Sequence, residues 1–292
     1  MILDPDLLAS ELVAPIKKAV TTLPQPTLEA LKEAHEREEG GARVQLEAML
    51  EAIEIGGKEG IPICQDTGTP TFYVDVGTSF PAFQELHLIE PALKEAVRKA
   101  TEEVPIRPNT VHPLTHKNPG DNTGLHIPHL DWTISEGDHL EMTYLPKGGG
   151  CTNMSELNMM TPGRGLKGVK EIVLERIASM EGKPCPPTVV GVGIGGSASI
   201  AMQNAKKALL RPVGERHPEG EVADLELDLQ EKANKLGVGP MGVGGQTTVL
   251  DVKVDYEYRH PASFPVAIAP QCWANRRVKV SVNSDGSVEV QR

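Results

Sequence analysis

Three consecutive side chains, Cys64, Gln65 and Asp66, set a thiol, an amide and a carboxylate side by side. Thr67, Gly68, Thr69 and Pro70 turn the chain at once, and an apolar run, 71–76, follows. Turn residues ahead of a strand are where chains expose working side chains. A thiolate suits a soft metal, and a carboxylate beside it suits proton handling or charge pairing. The plain alternative is a buried cysteine next to a turn-capping aspartate.

The other cysteines are Cys151, Cys185 and Cys272, all far apart in sequence. Cys64, Cys185 and Cys272 share a context: each stands where a loop meets a strand, beside Gln or Pro. No C-x-x-C occurs, which excludes zinc-ribbon and ferredoxin-type local spacing. Three thiolates without a fourth equivalent would leave one iron of a [4Fe–4S] cluster without a protein ligand. An open coordination position is what a Lewis-acid catalyst needs. Spacing alone favours three unrelated core cysteines over a shared cluster.

Other motifs carry less. Gly191-Val192-Gly193-Ile194-Gly195-Gly196 fits G-x-G-x-x-G between a strand and a helix. A dinucleotide site also needs an acidic strand end about 20 residues later. That region, 211–221, is a Pro/Gly-rich loop here, so close strand-to-helix packing is the better reading. Lys147-Gly148-Gly149-Gly150 could form a backbone nest for a carboxylate or a flexible bend. His112, His116, His126 and His129 have zinc-like spacing, but i and i+3 on a strand face opposite sides, and no H-E-x-x-H frame exists. His260, between Arg259 and Pro261 at a strand end, is better placed for proton chemistry, although a lone histidine is often structural.

The elements that must position these residues alternate between helix and strand. Segments 5–20 and 26–38 read as helices, the second ended by Gly40-Gly41. Leu46, Met49, Leu50 and Ile53 mark a helix over 42–55, stopped by Gly56-Gly57. A strand at 71–76 and a helix at 91–102 follow. The loop 104–124 is irregular and Pro-rich and carries Arg107; a loop of that length in a compact chain is usually functional. Segments 125–134 and 139–145 read as a hairpin around Glu136-Gly137-Asp138. Helices are expected at 166–180, 197–210 and 222–236, the last capped by Gly237. A buried strand is expected at 188–194, a half-exposed one where Val252 and Val254 alternate with Asp251 and Lys253, and a short one at 265–270. The C-terminus reads as a hairpin over 278–290. The fold class is α/β (mixed α+β): helices packed on mixed sheets, in two lobes.

Composition excludes several classes. The 292 residues carry a net charge of −11, which argues against non-specific binding to nucleic acid or anionic membrane. Only 3% are aromatic, so the core must be aliphatic, Ala and Gly. No run approaches a membrane span, and the N-terminus lacks the basic-then-apolar order of a signal peptide. A cytoplasmic protein without structural disulfides is expected.

Taken together, Ile63–Pro70, Pro105–Arg107, Asn118–Gly124, Lys147–Gly150, Lys183–Pro187, Gly191–Gly196, Gly239–Thr248, Arg259–Ser263 and Gln271–Arg277 resemble, in order, the α subunit of two-subunit class I (iron–sulfur) fumarate hydratases. The α subunit of L-tartrate dehydratase is similar too. The Cys-Gln-Asp-Thr-Gly and Cys-Trp-Ala-Asn-Arg-Arg blocks are the specific ones.

The resemblance implies a [4Fe–4S] cluster at loop ends, on Cys64, Cys185 and Cys272. It implies that Gln65, Arg107 and the Gly149 backbone hold a dicarboxylate, and that Asp66 and His260 belong to the proton-transfer network. It implies hydration of fumarate to (S)-malate, or dehydration of L-tartrate to oxaloacetate. Cys151 stands where many fumarase relatives have Ser and the tartrate enzymes have Cys, so it is left out of the ligand set and keeps the tartrate reading alive. Residues 1–292 would form one catalytic α subunit, with the β domain on a separate chain, in an α2β2 assembly. A non-catalytic iron–sulfur redox or sensor subunit is the competing class; it would show a fourth equivalent ligand, or lack Asp66, Arg107 or His260.

Overall fold

A computed structural model describes residues 2–291. The chain forms two compact units. The first comprises residues up to Leu23, Ala52–Gly148 and residues from Arg276 onward; the second comprises Pro24–Glu51 and Gly149–Asn275. The mixed α/β class expected from the sequence is present.

The first unit is a five-stranded sheet of order β2-β1-β3-β8-β9. The strands are β1 (Thr71–Gly77), β2 (His129–Ser135), β3 (Leu140–Tyr144), β8 (Val278–Val282) and β9 (Val288–Val290). Helices α1 (Pro5–Glu11), α2 (Val13–Thr21) and α5 (Ile89–Glu103) accompany it. Phe72, Val74 and Val76 alternate with half-buried residues along β1, and pack with Leu140, Met142, Val278 and Val280 against Leu8, Ile16, Leu93 and Val97. One apolar face meeting amphipathic helices is the expected solution for such a sheet.

Two expectations fail here. Segment 5–20 is two helices, not one. Pro15 has no N–H for a bond to the previous turn, so it is tolerated only near the start of a new helix, α2. Segments 125–134 and 139–145 do not pair as a hairpin. β1 lies between their strands, parallel to β2 and antiparallel to β3. The turn at Glu136–Asp138 reverses the chain, but α5 and the loop after it carry β2 to the outer edge as a crossover.

The second unit has a four-stranded sheet of order β4-β7-β5-β6. Its strands are β4 (Glu156–Met160), β5 (Thr188–Gly195), β6 (Val249–Glu257) and β7 (Phe264–Gln271). Helix α3 (Gln25–Arg37) lies wholly within this unit; α4 (Gly40–Glu59) begins in it and ends in the first. Four further helices follow: α6 (Gly149–Thr152), α7 (Gly165–Met180), α8 (Ala198–Ala208) and α9 (Gly220–Asn234). Val190, Val192, Val252, Val254, Val266 and Ile268 pack with α7 and α9 residues such as Val173, Ile177 and Leu229.

The opposite sheet face meets α8 through Gly191 and Gly193. A Cβ on either would collide with the backbone carbonyls of Ala205 and Ala201. These glycines therefore serve close packing, and β5 has an antiparallel neighbour, β7, unlike a doubly wound dinucleotide fold.

α4 does not stop at Gly56-Gly57. It runs on to Glu59, and Gly56 serves close packing instead of ending it, since a Cβ there would meet Ile63, the Ile61 carbonyl and the Thr21 carbonyl. The charged side of β6 is not half-exposed either. Asp251 and Lys253 are wholly buried. The Lys253 ammonium lies 2.8 Å from Asp251, Arg216 is paired with Asp251 at 2.7 Å, and Arg211 with the buried Glu226 at 2.7 Å. Burial lowers the Lys253 pKa, opposed by Asp251.

Candidate active site

In the first unit, one end of the sheet collects four of the residues singled out by their chemistry, Cys64, Gln65, Asp66 and Arg107. The 64–70 loop precedes β1, and the 104–128 loop precedes β2, which is parallel to β1. Residues 145–148 follow the antiparallel β3, and Arg276 precedes β8, which pairs with β3. Strand direction alone therefore brings Cys64, Gln65, Asp66, Arg107, Lys147, Gly148 and Arg276 to a common edge.

Hydrogen bonds then fix the loops. The Thr69 amide donates to the Lys147 carbonyl at 3.0 Å. The Thr67 hydroxyl, 2% exposed, accepts from the Arg107 amide at 3.1 Å and from Asn109 Nδ2 at 3.2 Å. Asn122, buried on the turn after Asp121, accepts from the Asn109 amide at 2.7 Å and donates to the Arg107 carbonyl at 2.9 Å. The irregular 104–124 segment is thus an ordered loop that presents an exposed Arg107.

Asp66 is half-buried, and its Oδ1 accepts from the Gly68 amide at 3.0 Å. Its Oδ2 lies so close to Gly148 that a Cβ there would stand 2.9 Å away. Arg276 donates from Nη2 to the Asp66 carbonyl at 2.7 Å, locking the peptide that follows Asp66. Gln65 itself is exposed.

In the second unit, Cys151, Cys185 and Cys272 gather at one end of the four-stranded sheet. Cys185 precedes β5, Cys272 follows the antiparallel β7, and Cys151 lies in α6 ahead of β4. The Trp273 amide donates to the Cys185 carbonyl at 3.2 Å, which ties the Cys185 and Cys272 segments together. Cys185 is half-buried, and Cys272 is 8% exposed. Cys151, 4% exposed, donates its thiol to the Pro184 carbonyl at 3.6 Å. Lys147–Gly150 is no open bend: Gly149 starts the single turn of α6 and stays exposed.

The Gly-rich loop at 239–248 sits at this same end and is held by a residue the sequence did not single out. Glu38, 2% exposed, accepts from the Gln246 amide at 2.8 Å and the Thr247 amide at 2.6 Å. A cleft of about 430 Å³ lies nearby, lined by Arg37, Arg216, Gln230 and Gln246. None of the residues named from the sequence as catalytic, substrate-binding or metal-ligating lines it.

His260 stands apart. It lies in the loop between β6 and β7, past Glu257, which pairs with Gly195 at the far end of β5. The eight residues of β7 separate it from Cys272, roughly 25 Å at the usual rise of a strand. It is exposed, and its Nδ1 accepts from the Ala262 amide at 3.1 Å. Arg259 braces this loop by donating to the Ser263 carbonyl at 3.0 Å, with its guanidinium 4.2 Å from the Phe264 ring centre. Within one unit, then, His260 and the cysteine end of the sheet are not neighbours.

The donor set suits a thiolate-held metal–sulfur group. Among the described residues no three His, Cys, Asp or Glu side chains converge on a single metal ion. A cubane cluster does not require that, since each thiolate takes a different iron. Around Cys272 the chain also buries polarity it does not satisfy. Gln271 and Asn275 are wholly buried, and both side-chain amides lack any hydrogen-bond partner. Buried unpaired donors are rare in native interiors and mark places where a polar or anionic group belongs.

The sequence pattern of the fumarate hydratase (Fumerase) family matches residues 10–281. A putative L(+)-tartrate dehydratase subunit alpha of Methanocaldococcus jannaschii is 45% identical over 275 residues, 93% of this chain and 96% of that protein. L(+)-tartrate dehydratase subunit alpha of Escherichia coli strain UTI89 is 37% identical over 283 residues, 96% of this chain and 92% of that protein. A match of that extent, over both units and every loop described above, places this chain in the fumarate hydratase (Fumerase) family.

Proposed function

We propose that the chain is the α subunit of an iron–sulfur hydro-lyase acting on four-carbon dicarboxylates, and that it hydrates fumarate reversibly to (S)-malate. The carrying observation is the sheet end in the first unit, where the Cys64–Asp66 loop and the Arg107 loop are fixed to each other through Thr67. Cys64, Cys185 and Cys272 are the proposed ligands of a [4Fe–4S] cluster. When bound, such a cluster would supply a Lewis acid for the hydroxyl that leaves as water.

The protein groups do the rest. Arg107 can grip a substrate carboxylate with two parallel bonds. Gln65 and the Gly149 amide add neutral donors that fix the second carboxylate as charge builds on it. Asp66, which follows Gln65 directly and is oriented by the Gly68 amide, is the proposed proton-handling group. We assign His260 to the same chemistry from a second copy of the chain, because in its own unit it lies at the opposite end of β7 from Cys272. A separate β subunit completes the site, in keeping with the "subunit alpha" names of the relatives.

Dehydration of L-tartrate to oxaloacetate is the second reading, favoured by the names of both relatives and by Cys151. The experiment is anaerobic reconstitution of this chain with its β partner, iron and sulfide. Loss or gain of the ultraviolet absorbance of fumarate, and oxaloacetate formed from L-tartrate, are followed in parallel. Malate turnover requiring both chains supports the first reading, and tartrate turnover alone moves the assignment to the second. An intact cluster with neither activity refutes both and favours a redox or sensing subunit.

A further inference from the structure

Arg276 is a buried cation that the protein leaves without an anion. It is 1% exposed. Its Nη2 donates to the Asp66 carbonyl at 2.7 Å, while Nε and Nη1 are buried with no hydrogen-bond partner. No carboxylate among the described residues forms an ion pair with it. Other cations of the molecule meet carboxylates: the wholly buried Lys253 and the half-buried Arg216 share Asp251, and the half-buried Arg211 has Glu226. A guanidinium cannot shed its charge, so an unpaired buried one is costly unless something else compensates it.

Its position suggests what that something is. Arg276 follows Cys272 by four residues in sequence. It binds the peptide carbonyl two residues beyond Cys64. The neighbouring Tyr144 is buried and neutral, its pKa raised by burial and only opposed by the field of Arg276, so it offers no counter-charge. Because Nε and Nη1 are closed off from solvent, an anion would feel this charge through the low-dielectric interior rather than by contact.

We propose that Arg276 is the fixed counter-cation of the Cys64 thiolate and of the anionic iron–sulfur group that it would carry, a positioning residue in the loop end of the first unit. This rests on the cluster reading above. It assigns to Arg276 two effects: favouring cluster uptake, and holding the reduction potential of the cluster up, because reduction adds negative charge beside it. The apo chain gains nothing from the charge.

The test uses the αβ complex with Arg276→Gln, Arg276→Met and Arg276→Lys beside the unaltered chain. Iron and sulfide content, the reduction potential followed by electron paramagnetic resonance, and melting of apo and loaded forms are measured. The expected result is apo Gln and Met variants that melt no lower than the unaltered apo chain. Once loaded, they should show a smaller rise in melting temperature and a more negative potential, with Lys restoring both. Cluster uptake lost in Gln and Met but kept in Lys is equally supportive. Unchanged potential with a raised KM for the dicarboxylate would place Arg276 on the substrate and overturn the proposal. Equal shifts in Gln, Met and Lys, or an apo Met variant that fails to fold, would show a packing role and also overturn it. If the unaltered complex takes up no iron and sulfide, the cluster reading itself is what has failed.

Discussion

Gly148 offers a way to move Asp66 without altering its chemistry. The backbone at Gly148 has no positive φ, so alanine is allowed there. Its Cβ would stand 2.9 Å from Asp66 Oδ2, whereas ordinary contact begins at 3.4 Å. The carboxylate must therefore retreat by about 0.5 Å, and the Gly68 amide on Oδ1 limits where it can go. A 1 Å misplacement of a catalytic group can cost about a hundredfold. Half of that should cost about tenfold in kcat, or about 1.4 kcal/mol of barrier. Stability should fall by less than about 1 kcal/mol, because the clash is with a side-chain end rather than with backbone.

Gly150→Ala is the control, since its Cβ meets only the Lys183 carbonyl at 3.8 Å. The assay is kcat and KM of the reconstituted αβ complex, with thermal melts of both variants and of Asp66→Asn. A Gly148→Ala enzyme within twofold of the original rate, beside an inert Asp66→Asn, would refute the positional argument. Equal losses in Gly148→Ala and Gly150→Ala would point to the glycine run as a whole.

Three further outcomes are expected. Cys185→Ser should abolish cluster assembly, read from iron and sulfide content and visible absorbance. Cys151→Ser should leave it largely intact and cost about 1 kcal/mol or less, because serine can keep a hydrogen bond to the Pro184 carbonyl; equal loss in both would break the ligand assignment. If His260 acts from a second copy, an inactive Cys64→Ser chain co-expressed with an inactive His260→Ala chain should recover part of the activity, and no recovery would remove His260 from the proposed site. Lys279, 2.7 Å from Glu141, holds that carboxyl below its usual value of 4.5, with Gln291 adding a bond. A depressed carboxyl stabilises the fold above its unfolded pKa and loses that contribution as pH falls through the folded one. Lys279→Met should therefore cost about 0.5 kcal/mol at pH 7 and nothing near pH 2, measured by urea unfolding; a gap that persists in acid would contradict the linkage.

The legible parts of the chain were those whose signals are local. Helices α5 and α7 follow from the periodic spacing of Leu93, Ala96 and Val97, and of Val169, Val173 and Ile177, all of them buried. The turn ahead of β1 was legible from its Gly, Pro and Thr residues. What escaped depends on contacts far along the chain. β4 was missed because Glu156–Met160 is a short edge strand with Leu157 and Met159 exposed, so no apolar alternation betrays it. The false hairpin at β2 and β3 arose because a turn signal cannot report a strand inserted between its arms. Asp251 and Lys253 looked solvent-facing because their partners, Arg216 and Glu215, lie in a distant loop. Glu38 and Arg276 work across sequence separations of 208 and 210 residues. Among the described residues no helix is long and apolar enough to cross a membrane.

The two units are interleaved along the chain rather than arranged end to end. The first cannot complete its sheet until β8 and β9 have been made, and the second encloses a segment, Pro24–Glu51, made more than a hundred residues before its partners. During synthesis both must therefore wait with apolar surface uncovered, β1 and β3 for β8, α3 for β6. Such long-range closure is slow and exposes a nascent chain to aggregation. If Cys64 and Cys272 hold one cluster, as proposed, some two hundred residues of synthesis separate its first thiolate from its last, so the early thiolate must wait, unmetallated, for the late one.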